Sequence, residues 1–393
     1  MIKAGVGLSL ATESVSAAKE AAAQAMEQGG IKTTDWAVVF CTFPHAQKFE
    51  SIISVIREIT GTENISGCSG LGILTGFEEI EAEPAVAVMV VSSESIKATS
   101  FLVNAGGDGG QSSGIKIGEM FSPLESENNL LILLPDAFLV QPELLFRGVE
   151  SKLGDIDIVG AAASLHPGMN ETYQFSADGA AKEAVSGLLL QGNYTYAIGI
   201  TQGCQPVGVP SVITNAESNI IFEINEMPAF EFMKQQVPAR ILNDRNNLFH
   251  LVFAAFPLDP ADTEFSSGEY LVRNIMGINE DTGVVAVADN VKEGQLMQFT
   301  VRHPTMARED LKQMLDRLSG GLSDERQIKF GFYFNCLARG SSLYGTKGID
   351  TAYISSALGD FPLIGFFGNS EFSVLKGTNY LFTYTGVLVL FIE

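Results

Sequence analysis

Cationic residues are scarce in this chain: 24 Lys and Arg stand against 46 Asp and Glu, a formal net charge of −22. Phosphate backbones are bound by clustered Lys and Arg, and no such cluster occurs, so nucleic acid is not expected as a partner. Anionic membrane surfaces drop out for the same reason. No apolar run reaches the roughly 18 residues that a bilayer span needs. Nor is there a signal peptide, because Met1-Ile2-Lys3 leads straight into AGVGLSL and a helical pattern carrying Glu13, Lys19 and Glu20. Cys41, Cys68, Cys204 and Cys336 lie far apart without a CxxC pair. They suit free thiols in a reducing compartment, and a cytoplasmic location is expected. Four scattered histidines without H-x-x-x-H spacing make a metal site unexpected. The run Gly106-Gly107-Asp108-Gly109-Gly110 has neither the G-K-S/T of a P-loop nor a dinucleotide fingerprint, and reads as a mobile hairpin or lid. No cofactor is implied.

What remains is a foldable chain of 393 residues, 46% hydrophobic, long enough for two or three domains or one large body. It repeats itself. Strand patterns at Ile2 to Leu8, Trp36 to Cys41, Ile65 to Leu74 and Ala85 to Val91 alternate with helical ones at Thr12 to Glu27 and Lys48 to Ile59. The order restarts at Ile96 to Val103, with helices at Ser113 to Phe121 and Pro142 to Leu153, and strands at Leu130 to Leu134, Ile156 to Ala162 and Tyr194 to Thr201. A third copy is read from Leu296 to Val301 through a helix at Met306 to Leu318 to a last strand at Phe382 to Ile392. The fold class expected is therefore α/β (mixed α+β). Repeated β-α-β-α-β-β units of roughly 95–105 residues would pack as pseudo-symmetric layers with mixed sheets. The segment Val209 to Gly294 reads as a degenerate fourth unit, with Pro257 to Ser267 as its most linker-like piece.

The chemistry gathers late. Phe330 to Phe334 is a short apolar run suited to a buried strand, followed by Cys336 and Arg339 in a Gly/Ser-rich loop. A helix is predicted over Ile349 to Leu358, then a second buried strand, Pro362 to Phe367, running into Gly368-Asn369-Ser370-Glu371. Loops beyond strand ends in an α/β layer are where binding groups collect. Arg339 suits a carboxylate fork, either a ligand's or that of Glu371 in a structural ion pair. Cys336 is either a small buried hydrophobe or a thiol activated by Arg339. Gly67-Cys68-Ser69-Gly70 allows an anion-binding nest or simply a bulge with Cys68 packed inside, and it is no G-x-S-x-G elbow. A thiol hydrolase needs a histidine as well. His45 and His166 fall in candidate loops, and Cys68 with His45 is the pair to test. Asp136 offers an ammonium partner or an Asx turn, and Gln205 a donor and an acceptor in a constrained turn.

These motifs carry a family resemblance. Cys336-x-x-Arg339-Gly340-x-x-x-Tyr344-Gly345 and Gly365-Phe366-Phe367-Gly368-Asn369-Ser370-Glu371 resemble the C-terminal half of FIST proteins. Gly67-Cys68-Ser69-Gly70, Cys204-Gln205-Pro206-Val207-Gly208 and Val212-Ile213-Thr214 resemble the N-terminal half, in the right order. One departure is Ser370, where the family often has glycine. The resemblance implies an N-terminal domain over 1–225 and a C-terminal domain over 226–393. It also implies a sensory, small-ligand-binding module with an amino acid or related carboxylate as ligand.

The expected site combines Arg339 for a carboxylate and Glu371 or Asp136 for an ammonium group, with Cys68, Gln205 and glycine-loop amides completing it. Ligand contacts are thus assigned to Arg339, Cys336, Gly340, Gly368, Glu371, Cys68, Ser69, Gln205 and Asp136, in a cleft between the halves, with Arg339 and Glu371 at its open rim. No catalytic residue is required. The chain has no kinase, cyclase, methyl-acceptor or helix-turn-helix segment, so the signal must pass to a separate signalling protein. Two other classes remain: a thiol-dependent enzyme using Cys336 or Cys68, and a protein-interaction scaffold.

Overall fold

The computed structural model describes residues 1–164, 168, 170–244, 247–259, 265, 268–322 and 327–393. His166 and most of the expected linker after Leu258 lie outside the described residues. Two compact units emerge. One comprises residues 1–200, 314–381 and 385–393, and the other 201–313 with 382–384.

In the first unit the chain opens with β1 (Ile2–Ser9), α1 (Ser14–Gly29), β2 (Trp36–Thr42), α2 (Phe49–Thr60), β3 (Ile65–Gly70), a hairpin of β4 (Gly72–Thr75) and β5 (Glu79–Glu81), and β6 (Val86–Ser93). It continues with β7 (Ile96–Asn104), α3 (Gln111–Phe121), β8 (Asn128–Pro135), α4 (Pro142–Leu153), β9 (Asp157–Ala161), the hairpin β10 (Gln174–Ser176) and β11 (Gly179–Ala181), and β12 (Ala184–Gly192). Strand β13 (Thr195–Gln202) follows.

The second unit is built from β14 (Cys204–Glu217), β15 (Ile220–Ile224), β16 (Met227–Pro228), α5 (Ala229–Gln236), α6 (Ala239–Leu242), α7 (Leu248–Leu251), β17 (Val252–Pro257), β18 (Tyr270–Asn279), β19 (Val284–Val287) and β20 (Leu296–Arg302). Helix α8 (Pro304–Gly321) leads back to β21 (Ile328–Cys336), α9 (Ser341–Tyr344), α10 (Ile349–Leu358), β22 (Leu363–Gly368), the hairpin β23 (Glu371–Leu375) and β24 (Thr378–Phe382), and β25 (Thr385–Ile392).

The first unit holds three six-stranded mixed sheets, ordered β1-β6-β2-β3-β10-β11, β24-β23-β9-β8-β12-β7 and β13-β25-β21-β22-β4-β5. In each, one central pair is parallel (β2 with β3, β8 with β9, β21 with β22) and the neighbouring strands are antiparallel. Each sheet ends in a hairpin supplied from elsewhere in the chain. The hairpin β4–β5 completes the sheet of β21 and β22, β10–β11 that of β3, and β23–β24 that of β9. Alternation decides the faces. Along β21, Phe330, Phe332 and Phe334 join one core with Trp36, Phe40, Leu188, Phe366 and Phe391, drawn from all three sheets. Opposite faces carry helices. α1 lays Ala17, Ala18, Ala21, Ala22 and Ala25, all fully buried, against β1. It comes so close that a Cβ at Gly7 would lie 2.0 Å from the Ala21 carbonyl oxygen.

Two expectations are corrected here. Leu296 to Val301 does not open a third copy: β20 pairs with β14 and β17 in the second unit, and the first strand of the third sheet is β13. The second sheet takes β12 between β8 and β7, and the apolar run Leu188 to Leu190 within it was not among the expected strands. The second unit is a seven-stranded sheet, β14-β20-β17-β18-β19-β15-β16, in which every described pairing is antiparallel. Its own core is built on Ile213, Ile224, Met233, Val252 and Phe299. A fourth unit of the expected order would need a parallel pair, so the segment is a different structure.

Candidate functional site

Polar chemistry collects where β21 and β22 end, under α9 and α10. Between the inward phenylalanines of β21, Tyr333 and Asn335 point the other way, toward α10. Asp350, in the first turn of α10, is fully buried and accepts from the side chains of Arg339, Tyr333 and Asn335. Arg339 Nε and Nη2 fork onto its Oδ2 and Oδ1 at 2.9 and 3.0 Å. The Tyr333 hydroxyl and Asn335 Nδ2 donate to Oδ2 at 2.9 and 3.1 Å. Arg339 Nη2 also donates to the Tyr344 hydroxyl at 2.7 Å. Arg339 itself is 0% exposed, so a guanidinium and a carboxylate share one buried bidentate pair. Burial alone would push Asp350 up. The guanidinium and the hydroxyls outweigh it and hold the carboxyl below its usual range.

A hairpin from the other end of the chain closes this cluster. Helix α10 starts at Gly348, which has no side chain to cap the helix and adopts φ +78°. Glu79 of β5 supplies the missing acceptor, taking the Gly348 and Thr351 backbone N–H groups at 2.8 and 3.0 Å and Thr351 Oγ1 at 3.2 Å. Burial, followed by the nearby Asp350 charge, pushes Glu79 above the usual carboxylate range. Glu81 accepts from Ser341 N and Oγ at 2.9 and 2.6 Å, and Lys347 pairs with Glu83. Gly340 is needed beneath Glu81: its φ is +59°, and a Cβ there would sit 2.7 Å from Glu81 Oε1. Outside Glu79 lies a surface pocket of about 480 Å³, lined by Phe77, Glu79, Lys347, Gly348, Thr351 and Ser355 among others.

Glu371 follows the end of β22 by three residues, at the start of β23 in the second sheet, and is 0% exposed. Its Oε2 accepts from Thr385 Oγ1 at 2.9 Å and Thr385 N at 3.4 Å, while Oε1 has no hydrogen-bond partner. Desolvation pushes this carboxyl up to about 8, with Thr385, the Cys336 thiol and the Arg339 charge pulling the other way. Gly368 faces it: a Cβ there would lie 3.6 Å from Oε1 and 2.6 Å from the Ala161 Cβ. Two more buried atoms of the cluster are unpartnered, Arg339 Nη1 and Asn335 Oδ1.

Cys336, Arg339, Gly340, Gly368 and Glu371 are thus brought together where β21 and β22 of the third sheet end and β23 of the second begins. The pairing expected for Arg339 is corrected: its carboxylate is Asp350, and both Arg339 and Glu371 are sealed rather than set on an open rim. The remaining expected residues lie elsewhere. Cys68 is buried in the core shared by the three sheets, and desolvation, then Cys41, drives its thiol pKa up. That protonated state does not suit a nucleophile. His45 is 1% exposed and its Nδ1 lies 3.0 Å from Ser14 Oγ, so its described partner is Ser14 and not Cys68. Ser69 prolongs β-pairing, exchanging bonds with Tyr173 N and O. Asp136 forms an Asx turn, accepting from Phe138 N and Leu139 N at 2.9 Å each, and from Thr172 Oγ1 at 2.6 Å. Gln205 belongs to the second unit, where it donates to the Gln202 carbonyl. The glycine run joins β7 to α3, and within it Asp108 accepts from Ser112 N, in the first turn of α3, at 2.9 Å. Asp350, Glu79, Tyr333, Asn335 and Thr385 went unsuspected. Only the acidic start of α10 and the glycine preceding it hinted at a cap supplied from outside.

Comparison with known proteins decides the family. Residues 35–227 match the FIST N domain and residues 229–373 the FIST C domain. The chain belongs to the FIST family. FIST domains are recognised as sensory domains. Relatives span the whole FIST chain: uncharacterised proteins of Mycobacterium tuberculosis strains CDC 1551 and H37Rv are each 26% identical over 392 residues, covering 100% of both chains. One from Mycobacterium bovis is 26% identical over 100% of this chain and 99% of its own. A solved cyanuric acid hydrolase from A. caulinodans overlaps 48% of this chain and 70% of its own, at 12% identity. Its TM-score of 0.28 is too low to bear on fold or chemistry. Among the described residues, no helix is long and apolar enough to cross a membrane, and no group of acidic, Cys or His side chains could hold a metal ion.

Proposed function

We propose that this FIST protein is a sensory module whose input is a small polar metabolite of amino-acid type, received beside Arg339, Asn335 and Glu371, where β21 and β22 end and β23 begins. One observation carries the reading. Three side-chain atoms there are buried without partners, one a donor (Arg339 Nη1) and two acceptors (Asn335 Oδ1 and Glu371 Oε1). Buried polar atoms left unpaired cost about 1–3 kcal/mol each, and folded proteins seldom keep several together without use. A molecule with an acceptor oxygen and an N–H group supplies what they lack.

The pocket outside Glu79 is where such a molecule would first dock. Entry then requires residues 337–349 to part from Glu79 and Glu81, and that displacement is the signal offered to a separate signalling partner. Catalysis is not invoked. The four cysteines are unbridged and buried, which fits a reducing, cytoplasmic setting.

The test is a thermal-unfolding screen of the full chain against amino acids and related carboxylates. At least one is expected to raise Tm by several degrees in the native chain, with a much smaller shift in Asn335→Leu. A series of flat responses, or a shift that survives both Asn335→Leu and Glu371→Gln, would remove the site.

A further inference from the structure

The buried charges of this cluster do not balance. Arg339 is its one guanidinium, against three carboxyl groups that are each at most 2% exposed: Glu79, Asp350 and Glu371. Asp350 consumes the guanidinium fork and two further donors. Glu79 is satisfied by the N-terminus of α10 and the Thr351 hydroxyl. Glu371 is left with Thr385 on one oxygen and nothing on the other. The unpartnered acceptors outnumber the unpartnered donor by two to one. A buried carboxyl in that position holds a proton or meets a cation.

We infer that Glu371 is the receptor for a primary ammonium group, which donates to its free Oε1, so that the site reads the cationic end of its ligand and gives up a proton when it does. This rests on the sensory reading above and adds the chemistry of recognition. Proton balance is simple. Without ligand the carboxyl keeps its hydrogen, consistent with a pKa near 8 in a site closed to water. When R–NH3⁺ enters, the carboxyl becomes carboxylate, its proton passes to the buffer, and no covalent bond to the ligand changes.

The groups facing Glu371 are few. From β21 comes the Cys336 thiol, from the following loop the Arg339 guanidinium with Asp350 behind it, and from β25 the uncharged Thr385. On the β9 side stands Ala161, its register partner. No lysine or histidine is among the groups that shift it. Asn335 Oδ1, the second unpartnered acceptor of this cluster, favours a donor-rich head group in the same way. The Arg339 fork, which the sequence offered to a ligand carboxylate, is already taken, so an anionic end contributes less than a cationic one.

The experiment is calorimetric titration of the full chain at pH 7.0 with glycine, methylammonium, acetamide and acetate, each in two buffers of different ionisation enthalpy. Glycine and methylammonium are expected to bind with release of close to one proton. Acetate and acetamide should bind at least tenfold more weakly, and Glu371→Gln should lose both binding and proton release. Amino-acid binding without proton release and unchanged in Glu371→Gln would overturn the ammonium assignment while leaving the sensory site standing. Acetate or acetamide binding as well as methylammonium would also overturn it. Silence from every probe removes this assignment and the amino-acid reading together. Should Glu371→Gln fail to fold, proton release from the native chain decides alone.

Discussion

At the residue scale, Arg339 and Glu371 look alike in the sequence and behave oppositely in the fold. Both are fully buried, yet Arg339 is forked onto a carboxylate while Glu371 meets no opposite charge at hydrogen-bond distance and leaves one oxygen unpartnered. Removing the guanidinium leaves Asp350 charged and without its fork, so Arg339→Ala should cost about 3–5 kcal/mol in urea unfolding. Replacing the pair at once, as Arg339→Met with Asp350→Leu, should recover most of that loss. Equal damage from the single and double changes would show that the pair is not the reason.

Protonation gives a second check. Glu371 rises from the ordinary 4.5 to about 8 on folding, so the folded state binds its proton more tightly than the unfolded chain. Its contribution is complete below about pH 4.5 and is lost as pH climbs through 8. The loss is on the order of 5 kcal/mol, and Glu371→Gln should flatten it. Asp350 acts in the other direction. Its lowered pKa contributes stability above the usual carboxylate range that disappears as pH falls below it. Urea midpoints of the native chain and Glu371→Gln between pH 5 and 9 measure the difference. Parallel curves would mean that Glu371 does not titrate in that window.

At the scale of single elements, most of the first unit could be read in advance, because the signals are local. Helix α1 and the apolar run of β2 were expected almost to the residue, although α1 begins at Ser14 and is capped by Glu13 through bonds to Val15 N and Ser16 N. What stayed hidden is non-local. Nothing near residue 350 reveals that its helix is capped by Glu79, 269 residues from Gly348. Glu79→Ala should therefore cost about 1–3 kcal/mol, since it orphans two backbone N–H groups behind α10. Hydrogen exchange should speed up at residues 340–352 well before it does in β2 or β8. Uniform acceleration across the chain would mean that Glu79 holds the whole unit and not this latch. Helix α1 offers the opposite control. Gly7→Ala should destabilise the unit without touching ligand response, because its Cβ collides with the α1 backbone on the far face of the first sheet.

At the scale of the whole molecule, the hairpins join parts of the chain that no local pattern connects. Copies were expected to follow one another along the chain, since periodicity reports sequence order alone. The sheets instead trade strands across it: Leu74 of β4 pairs with Gly365 of β22, and Glu371 of β23 with Ala161 of β9. Each exchange buries an edge that would otherwise stay unpaired. It also binds the FIST N and FIST C segments into one folding unit despite the boundary between residues 227 and 229. A fragment of residues 1–227 lacks β23 and β24 on the second sheet, and keeps β4–β5 and β13 without the strands they pair with. It should show no cooperative thermal transition by itself. Co-expression with residues 228–393 should restore a one-to-one complex with the native Tm within a few degrees, since the exchanged hairpins need proximity and not covalent continuity. A fragment 1–227 that melts cooperatively alone would show that the exchanged strands are ornaments on an independent domain. The latch of Glu79 over α10 could then not carry a signal between the two segments.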